Sequence, residues 1–313
     1  MKIVLLESLG VADDVIQSYV QKLEQIGHSF VAYEKNTDPA VQQERCKDAD
    51  VVMLANMPLD ASAVTEADNL KFINVAFTGV DHIPVAQAKE KGIAISNASG
   101  YATQAVAELC ISFMIQLLRN TKQTEERCRQ GGTKDGLVGN LLCGKTVGIV
   151  GAGAIGKRVA TLAKAFGCTT LAYNRSTVND PSIDKQVDLD TLLANADIVS
   201  LHCPLTDQTR HMIDADQLAL MKPSAVLINT ARGDVVNQEA LAQALQAGSI
   251  AGAALDVFDK EPPLSTDHIL LSAPNTVVTP HIGFASQESL EQRAEIVFNN
   301  LFSWLEGNQI NAI

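Results

Sequence analysis

The chain has 313 residues, of which 46% are hydrophobic and 19% are charged, a composition that supports a sizeable core and excludes general disorder. Domains usually contain about 100–200 residues, so this length predicts two domains. The formal net charge of −12 argues against nucleic acid and anionic membrane surfaces as partners, because an acidic protein repels both.

The cysteines and the N-terminus indicate a cytoplasmic protein. Six cysteines are scattered along the chain without a Cys-x-x-Cys pair, so we expect reduced thiols and no bound metal. Only four apolar residues stand between Lys2 and Glu7, too few for a signal peptide. The apolar segment 100–118 contains Glu108 and several polar residues, which favours a buried helix over a membrane span.

Short apolar runs alternate with helix-like segments in the first third of the chain. We predict parallel strands, buried on both faces, at residues 3–6, 30–33, 51–54, 72–75 and 93–96. Segment 13–26 has apolar residues at helical spacing, and Gly27 is typical of the position just past a helix. A long apolar helix, about 101–119, follows these strands.

A second series of six apolar runs begins after an irregular segment, 119–145, that is compatible with an arm or an interface. We predict strands at 146–150, 169–173, 198–202, 225–229, 253–257 and 276–279. Six strands alternating with helices are typical of a doubly wound parallel sheet. Segment 286–306 is predicted to be a helix that packs on the first domain. The predicted domains are therefore residues 1–99 with 286–313, and residues 100–285.

The sequence G-A-G-A-I-G at 151–156 lies between a predicted strand and a predicted helix. In that context G-x-G-x-x-G indicates a turn that binds the pyrophosphate of a dinucleotide. Gly151 permits the tight turn, Gly153 lets backbone N–H groups approach the pyrophosphate, and Gly156 lets helix and strand pack closely. Ala154 and Ile155 begin the helix, whose N-terminus favours an anion.

The residues after the next strand, 169–173, bear on the choice of cofactor. Sheets that bind NAD usually carry an acid there, but this chain has Asn174, Arg175 and Ser176. Asparagine does not repel a 2′-phosphate, and the two residues after it can bind one. We therefore favour NADP(H); if Arg175 is only a solvated surface cation, NAD(H) remains the alternative.

Three further motifs end strands of the second series: N-T-A-R-G-D at 229–234, L-D-V-F-D-K-E-P at 255–262 and T-P-H-I-G at 279–283. They bring a cation, carboxylates and an imidazole to the edge of the sheet where ligands bind. In this order after the glycine turn, the motifs resemble the D-isomer-specific 2-hydroxyacid dehydrogenase family over essentially the whole chain. The resemblance implies an α/β protein with two Rossmann-like domains, a flavodoxin-like substrate domain and a doubly wound, parallel-sheet dinucleotide-binding domain.

The resemblance implies that a 2-oxo acid is reduced to a D-2-hydroxy acid by hydride from a nicotinamide cofactor. Arg232 would bind the substrate carboxylate and carbonyl, because a guanidinium offers paired, coplanar donors. His281 would be the general acid and base, and Glu261 would favour its charged form. Taken singly, Arg232 could be a surface cation and His281 part of a turn; the three motifs together favour catalysis.

The resemblance also implies further contacts and a homodimer. The other predicted cofactor contacts are Thr103, Cys203, Pro204, Thr209, Thr230, Ala231, Asp256 and Gly283. The predicted substrate contacts in the first domain are Met57, Phe77, Thr78 and Gly79.

Three alternatives are weighed against a plain 2-oxoacid reductase. Phosphoglycerate dehydrogenases place arginines where this chain has Ala-Asn-Met-Pro at 55–58, and they often carry a serine-sensing domain, which is not expected here. Formate dehydrogenases carry Gln at the position of Glu261. Nucleotide-sensing corepressors resemble the same family and keep its catalytic residues, but the disordered tail that recruits partners is not expected here. Glyoxylate, hydroxypyruvate and longer 2-oxo acids all remain possible substrates.

Overall fold

The computed structural model describes residues 1–260 and 263–313. The chain divides into two compact units. Unit 1 comprises Met1–Ala102 and Phe284–Ile313, and unit 2 comprises Thr103–Gly283.

Unit 1 contains a five-stranded sheet in the order β2-β1-β3-β4-β5, and all its neighbouring strands are parallel. The central strands β3 and β4 are buried along their whole length, which is why β3 is an unbroken apolar run and β4 contains only one polar residue, the buried Asn74. The strands are β1 (Lys2–Leu5), β2 (Ser29–Ala32), β3 (Val51–Leu54), β4 (Phe72–Val75) and β5 (Ala94–Asn97), and the helices are α1 (Asp13–Gln25), α2 (Pro39–Cys46), α3 (Ala61–Thr65), α4 (Val85–Glu90) and the last helix, α11 (Gln287–Leu305).

The last helix, α11, packs on the sheet of unit 1 through both polar and aromatic contacts. Asn74 on β4 donates its side-chain amide to the Val297 carbonyl at 2.7 Å. The Phe298 ring stacks on Tyr19 with centroids 4.1 Å apart, and Phe72 stacks on Trp304 at 4.8 Å. These contacts bury the apolar face of α11 against the helices and strands of the first third of the chain.

Unit 2 contains a seven-stranded parallel sheet in the order β12-β11-β10-β9-β6-β7-β8. Its strands are β6 (Thr146–Val150), β7 (Thr169–Tyr173), β8 (Lys185–Gln186), β9 (Ile198–Leu201), β10 (Val226–Asn229), β11 (Gly252–Leu255) and β12 (Thr276–Val278), and its helices are α5 (Thr103–Leu118), α6 (Thr121–Arg129), α7 (Ala154–Ala165), α8 (Leu189–Asn195), α9 (Ala215–Leu220) and α10 (Gln238–Gln246). The two parallel sheets with their helices confirm the predicted fold class.

Two elements of unit 2 differ from the sequence prediction. The segment 119–145, predicted to be irregular, contains the helix α6, and the two-residue strand β8 was not predicted. Neither has an apolar pattern: α6 has no buried residue, and β8 consists of Lys185 and Gln186 at the edge of the sheet. Hydrophobic periodicity cannot identify such elements.

All strands of the unit 2 sheet run in the same direction, so their carboxyl ends lie along one edge. The glycine turn follows β6 at this edge, the Asn-Arg-Ser segment follows β7, and the three charged motifs follow β10, β11 and β12. Such an edge is where open α/β sheets bind their ligands. In the described part of the chain, no helix is long and apolar enough to cross a membrane.

Candidate active site

The first and third glycines of the turn after β6 are required by close backbone approaches. Gly151 has φ of +95°, and a Cβ added to it would lie 2.8 Å from the backbone nitrogen of Cys203. A Cβ on Gly156 would lie 2.2 Å from the Gly151 carbonyl oxygen. Any side chain at either position would therefore displace the turn itself.

The second glycine, Gly153, is different, because a Cβ added there would meet no heavy atom within 4 Å. Gly153 is the N-cap of α7 and offers no side chain to the first-turn N–H groups, including those of Ala154 and Ile155. First-turn N–H groups have no acceptor within a helix, and they favour an anion. We call the open space at Gly153, with these first-turn N–H groups, the cradle. Its free space and its unsatisfied donors fit the pyrophosphate of a dinucleotide.

This contrast predicts that alanine at Gly153 weakens cofactor binding, whereas alanine at Gly156 lowers the stability of the protein. Gly153→Ala should leave the thermal midpoint within about 2 °C of wild type, because its Cβ has free space, but should weaken dinucleotide binding about tenfold or more by filling the cradle. Gly156→Ala should destabilise the protein, since its Cβ overlaps the turn backbone. Differential scanning fluorimetry and titration with reduced cofactor measure both effects. Unchanged cofactor affinity in Gly153→Ala would contradict the assignment of the cradle.

The Asn174 side chain links the segment after β7 to the glycine turn. Its Oδ1 accepts a hydrogen bond from the Ala152 N–H at 3.1 Å, and its Nδ2 donates to the Ser176 carbonyl and hydroxyl oxygens, both at 3.0 Å. Arg175 is exposed and makes no hydrogen bond or ion pair with the described residues. This exposed arginine directly follows the residue that bonds to the turn.

The residues after β9 present neutral groups near the turn. Burial lowers the pKa of His202 to about 3, and its Nε2 lies 2.9 Å from the Ser200 hydroxyl oxygen. Burial also raises the pKa of the Cys203 thiol to about 11. The Thr209 hydroxyl donates to the Pro204 carbonyl at 2.6 Å and so shapes this loop. Neither His202 nor Cys203 is charged at neutral pH.

Arg232 lies just past β10 in a tightly supported turn. Buried Asn229 donates its Nδ2 to the Arg232 carbonyl at 2.8 Å, and its Oδ1 accepts from the Ala231 N–H at 3.0 Å. The guanidinium is half-buried, and its Nη1 donates to the Ala231 carbonyl at 2.8 Å. A Cβ on Gly233 would lie 2.0 Å from the Phe258 carbonyl carbon, so only glycine fits next to Arg232.

The loop that carries His281 is held by Asp256, which follows β11. The Asp256 carboxylate accepts hydrogen bonds from the Thr279 hydroxyl at 2.5 Å, the Ile282 N–H at 2.8 Å and the Gly283 N–H at 2.7 Å. Burial raises the pKa of this carboxyl, which is only 1% exposed. His281 has φ of +55°, in the left-handed region that a residue with a side chain rarely adopts. Three hydrogen bonds to one buried carboxylate hold the loop in that conformation.

Thr230 is a further predicted position at this edge, directly after β10. Thr103 begins α5, and the Thr230 hydroxyl lies 3.3 Å from the Cys110 thiol of the same helix. Glu261 lies outside the described residues. Among those described, no cluster of His, Cys, Asp and Glu side chains could hold a metal ion.

Unit 1 has unsatisfied backbone donors at the carboxyl end of β4. The Thr78 and Gly79 N–H groups have no acceptor among the described residues, and Thr78 is exposed. Asn97 fixes this segment by donating its Nδ2 to the Thr78 carbonyl at 2.6 Å. The Phe77 and Met57 side chains are buried, at 6% and 0% exposure. The backbone of this segment is exposed at Thr78, and the two apolar side chains lie beneath the surface.

Sequence reasoning assigned no role to several polar residues that hold these loops. The buried Glu7 carboxylate accepts the Ala55 and Met57 N–H groups at 2.8 and 2.7 Å, and Asn229 and Asn97 support Arg232 and Thr78. Asn229 and Asn97 are the last residues of buried strands. An asparagine at the end of an apolar run could have indicated this role in the sequence. A buried amide needs hydrogen-bond partners, and the backbone of a neighbouring loop supplies them.

Comparison with known proteins identifies the family of this chain. The family model of the D-isomer specific 2-hydroxyacid dehydrogenase NAD binding domain matches residues 111–283. A glycerate dehydrogenase from Methylorubrum extorquens is 37% identical over 91% of this chain and 92% of its own length. A glyoxylate reductase from Thermococcus litoralis is 38% identical over 84% of this chain and 83% of its own.

Two further relatives bear on substrate and cofactor. A D-3-phosphoglycerate dehydrogenase from Methanocaldococcus jannaschii is 36% identical over 95% of this chain, but the match covers only 57% of that protein. The crystal structure of an acyclic imino acid reductase in complex with NADPH and D-Arg superposes with a TM-score of 0.92, 29% identity and full coverage of both chains. The chain belongs to the D-isomer-specific 2-hydroxyacid dehydrogenase family and is an oxidoreductase with a nicotinamide dinucleotide cofactor.

Proposed function

We propose that this chain reduces a small 2-oxo acid to the D-2-hydroxy acid, with NADPH preferred over NADH. The observation that carries the proposal is the position of Arg232 and His281 after β10 and β12, at the edge that also holds the glycine turn. One strand separates β10 from β12, so the two backbones are about 10 Å apart. Side chains that start from these two backbones can both reach a small 2-oxo acid bound between them.

In this proposal Arg232 binds and orients the substrate, and His281 transfers the proton. When bound, the reduced nicotinamide supplies a hydride for the carbonyl carbon. Arg232 pairs with the substrate carboxylate and keeps the carbonyl oriented. His281 gives a proton to the carbonyl oxygen, which gains negative charge during reduction, and takes it back in oxidation.

His281 is the better candidate for the proton donor than His202, a histidine directly after β9. Burial keeps His202 uncharged at neutral pH, whereas Asp256 orders the backbone that presents His281. Glu261, which lies outside the described residues, stays a proposed partner of the His281 ring. The Asp256 carboxylate positions the His281 loop through three hydrogen bonds and stays a proposed cofactor contact.

Unit 1 offers further proposed substrate contacts. The free N–H groups of Thr78 and Gly79 suit an anionic oxygen, which supports their assignment to the substrate carboxylate. Phe77 and Met57 stay proposed contacts for an apolar side group.

The proposed NADPH preference rests on the segment after β7. Asn174 has no negative charge, and its Oδ1 is already engaged by Ala152, so it does not replace the acid that accepts both ribose hydroxyls of NAD. Exposed Arg175 and Ser176 are available to a 2′-phosphate. The other proposed cofactor contacts are Gly151, Gly153, Ala154, Ile155, Gly156, Thr103, Cys203, Pro204, Thr209, Thr230, Ala231 and Gly283.

We assign glyoxylate and hydroxypyruvate as the first substrates to test, because the glycerate dehydrogenase and glyoxylate reductase relatives are similar over most of the chain. Phosphoglycerate is disfavoured, since segment 55–58 carries no cation for a phosphate. We also assign a homodimer and a cytoplasmic location. The dimer is supported by the exposed apolar residues Val138 and Leu141 of unit 2, and the location by the scattered cysteines.

The test follows the absorbance of reduced cofactor with a panel of 2-oxo acids. We expect turnover of glyoxylate and hydroxypyruvate, and kcat/KM about tenfold or more higher with NADPH than with NADH, because one charge-assisted contact contributes about that factor. Faster reduction of 3-phosphohydroxypyruvate than of hydroxypyruvate would favour phosphoglycerate dehydrogenase. Tight cofactor binding without turnover of any 2-oxo acid would favour the nucleotide-sensing protein.

A further inference from the structure

One side chain, Gln186 on the edge strand β8, holds most of the loop that follows β7. Its Nε2 donates to the Asn174 carbonyl at 3.1 Å and to the Ser176 carbonyl at 2.9 Å. Its Oε1 accepts from the Val178 N–H at 2.8 Å. A single amide thus satisfies three backbone groups of a loop that has no regular secondary structure.

The position of Gln186 depends on the pairing of β8 with β7. Gln186 pairs with Ala172, and the Val187 N–H donates to the Ala172 carbonyl at 2.9 Å. The side chain therefore starts beside the end of β7 and reaches along the loop. Because Asn174 also bonds to Ala152, the loop is fixed to the glycine turn on one side and to β8 on the other.

The acidic groups beyond the loop are already paired. Asp180 lies 3.6 Å from the Lys157 ammonium and accepts the Ser182 hydroxyl at 2.6 Å. Asp184 pairs with the Lys164 ammonium at 2.6 Å. Neither carboxylate competes with an incoming anion for the exposed Arg175 guanidinium.

We infer that Gln186 is a positioning residue for cofactor selection: it fixes the 174–178 loop so that Arg175 and Ser176 meet the 2′-phosphate of NADPH. This inference rests on the proposed NADPH preference. A fixed loop binds the phosphate without first losing conformational entropy. Without the amide, three backbone groups turn to water and the loop samples other conformations, so recognition of the 2′-phosphate weakens. Pyrophosphate binding should change much less, because among the described residues Gln186 makes no hydrogen bond to the glycine turn.

The inference is tested by calorimetric binding of two cofactor fragments, 2′,5′-ADP and 5′-AMP, which differ only in the 2′-phosphate. The variants are Gln186→Leu, which removes all three hydrogen bonds, and Gln186→Glu, which keeps an acceptor for Val178 but loses both donated bonds and adds a charge. Gln246→Leu, an exposed glutamine on α10, is the matched control.

We expect wild type to bind 2′,5′-ADP about tenfold or more tighter than 5′-AMP. Gln186→Leu should reduce that ratio about tenfold, with 5′-AMP affinity within about threefold of wild type and the control unchanged. In kinetics, KM for NADPH should rise while KM for NADH and both kcat values stay constant. Gln186→Glu should reduce the preference for 2′,5′-ADP over 5′-AMP at least as much, because the new carboxylate repels the 2′-phosphate.

The contrary outcomes separate the two proposals. Equal binding of the two fragments by wild type would overturn the NADPH preference. If both Gln186 variants still bind 2′,5′-ADP more tightly than 5′-AMP by the wild-type ratio, the positioning role of Gln186 is overturned and the NADPH preference stands. A parallel loss of both affinities, with a lower thermal midpoint, would mean that Gln186 only stabilises the fold and would also overturn the inference.

Discussion

His281→Asn should lower kcat for reduction of a 2-oxo acid by about 100- to 10,000-fold, the range that a general acid contributes. Asparagine is chosen because it tolerates the left-handed backbone that His281 adopts, so the loop held by Asp256 should persist. The substituted side chain cannot deliver a proton to the developing alkoxide. Affinity for 2′,5′-ADP should stay within about threefold of wild type, because His281 is not a proposed contact of the adenosine half.

His211→Asn is the matched control, since His211 is exposed, lies in unit 2 and also has positive φ, at +50°. It should retain wild-type kcat. A loss of less than about tenfold in His281→Asn would remove the imidazole from the chemistry, and the family resemblance would then not extend to the mechanism.

Arg232→Leu should lower kcat/KM for the 2-oxo acid by about 1,000-fold, because loss of one partner of a desolvated charge pair costs several kcal/mol. Arg232→Lys keeps the charge but not the planar pair of donors, so it should recover only part of the loss. Steady-state kinetics with glyoxylate at saturating NADPH measure both. The turn should survive in either variant, since Asn229 bonds to the backbone at this position and not to the guanidinium.

Arg210→Lys provides the comparison, because Arg210 is exposed and forms a surface ion pair with Asp234, an interaction of small energy. It should leave kcat/KM unchanged. Equal rates for Arg232→Lys and wild type would show that a point charge suffices and would contradict two-pronged binding of the carboxylate.

Most strands of the two sheets could be predicted closely, because the interior strands are buried on both faces. Segments 51–54, 72–75, 146–150 and 169–173 coincide with β3, β4, β6 and β7. A strand covered by helices needs apolar side chains on both faces, so its sequence is an unbroken run between polar segments. Edge strand β8 and exposed helix α6 carry no such requirement and leave no comparable pattern.

The sequence predicts candidate site residues where their chemistry is local in the chain, and the roles proposed for them stay predictions. The glycine turn and the motifs around Arg232 and His281 each combine a strand end with a chemically distinctive side chain. The groups that hold these residues were not predictable in the same way. Glu7 bonds to residues about 50 positions away, and the partners of Asp256 lie 23 to 27 positions further along the chain.

The sequence alone determined the two parallel sheets and the family, and it predicted the side chains proposed to react, because burial and catalysis both restrict residue type at short range. Only the tertiary structure decided how those side chains are held: Asp256 under the His281 loop, Asn229 under Arg232, and Gln186 beside Arg175. These contacts depend on strand order and register, which bring distant polar groups within hydrogen-bond distance. The identity of a buried Asn, Gln, Asp or Glu residue does not indicate which distant loop its side chain will bond to.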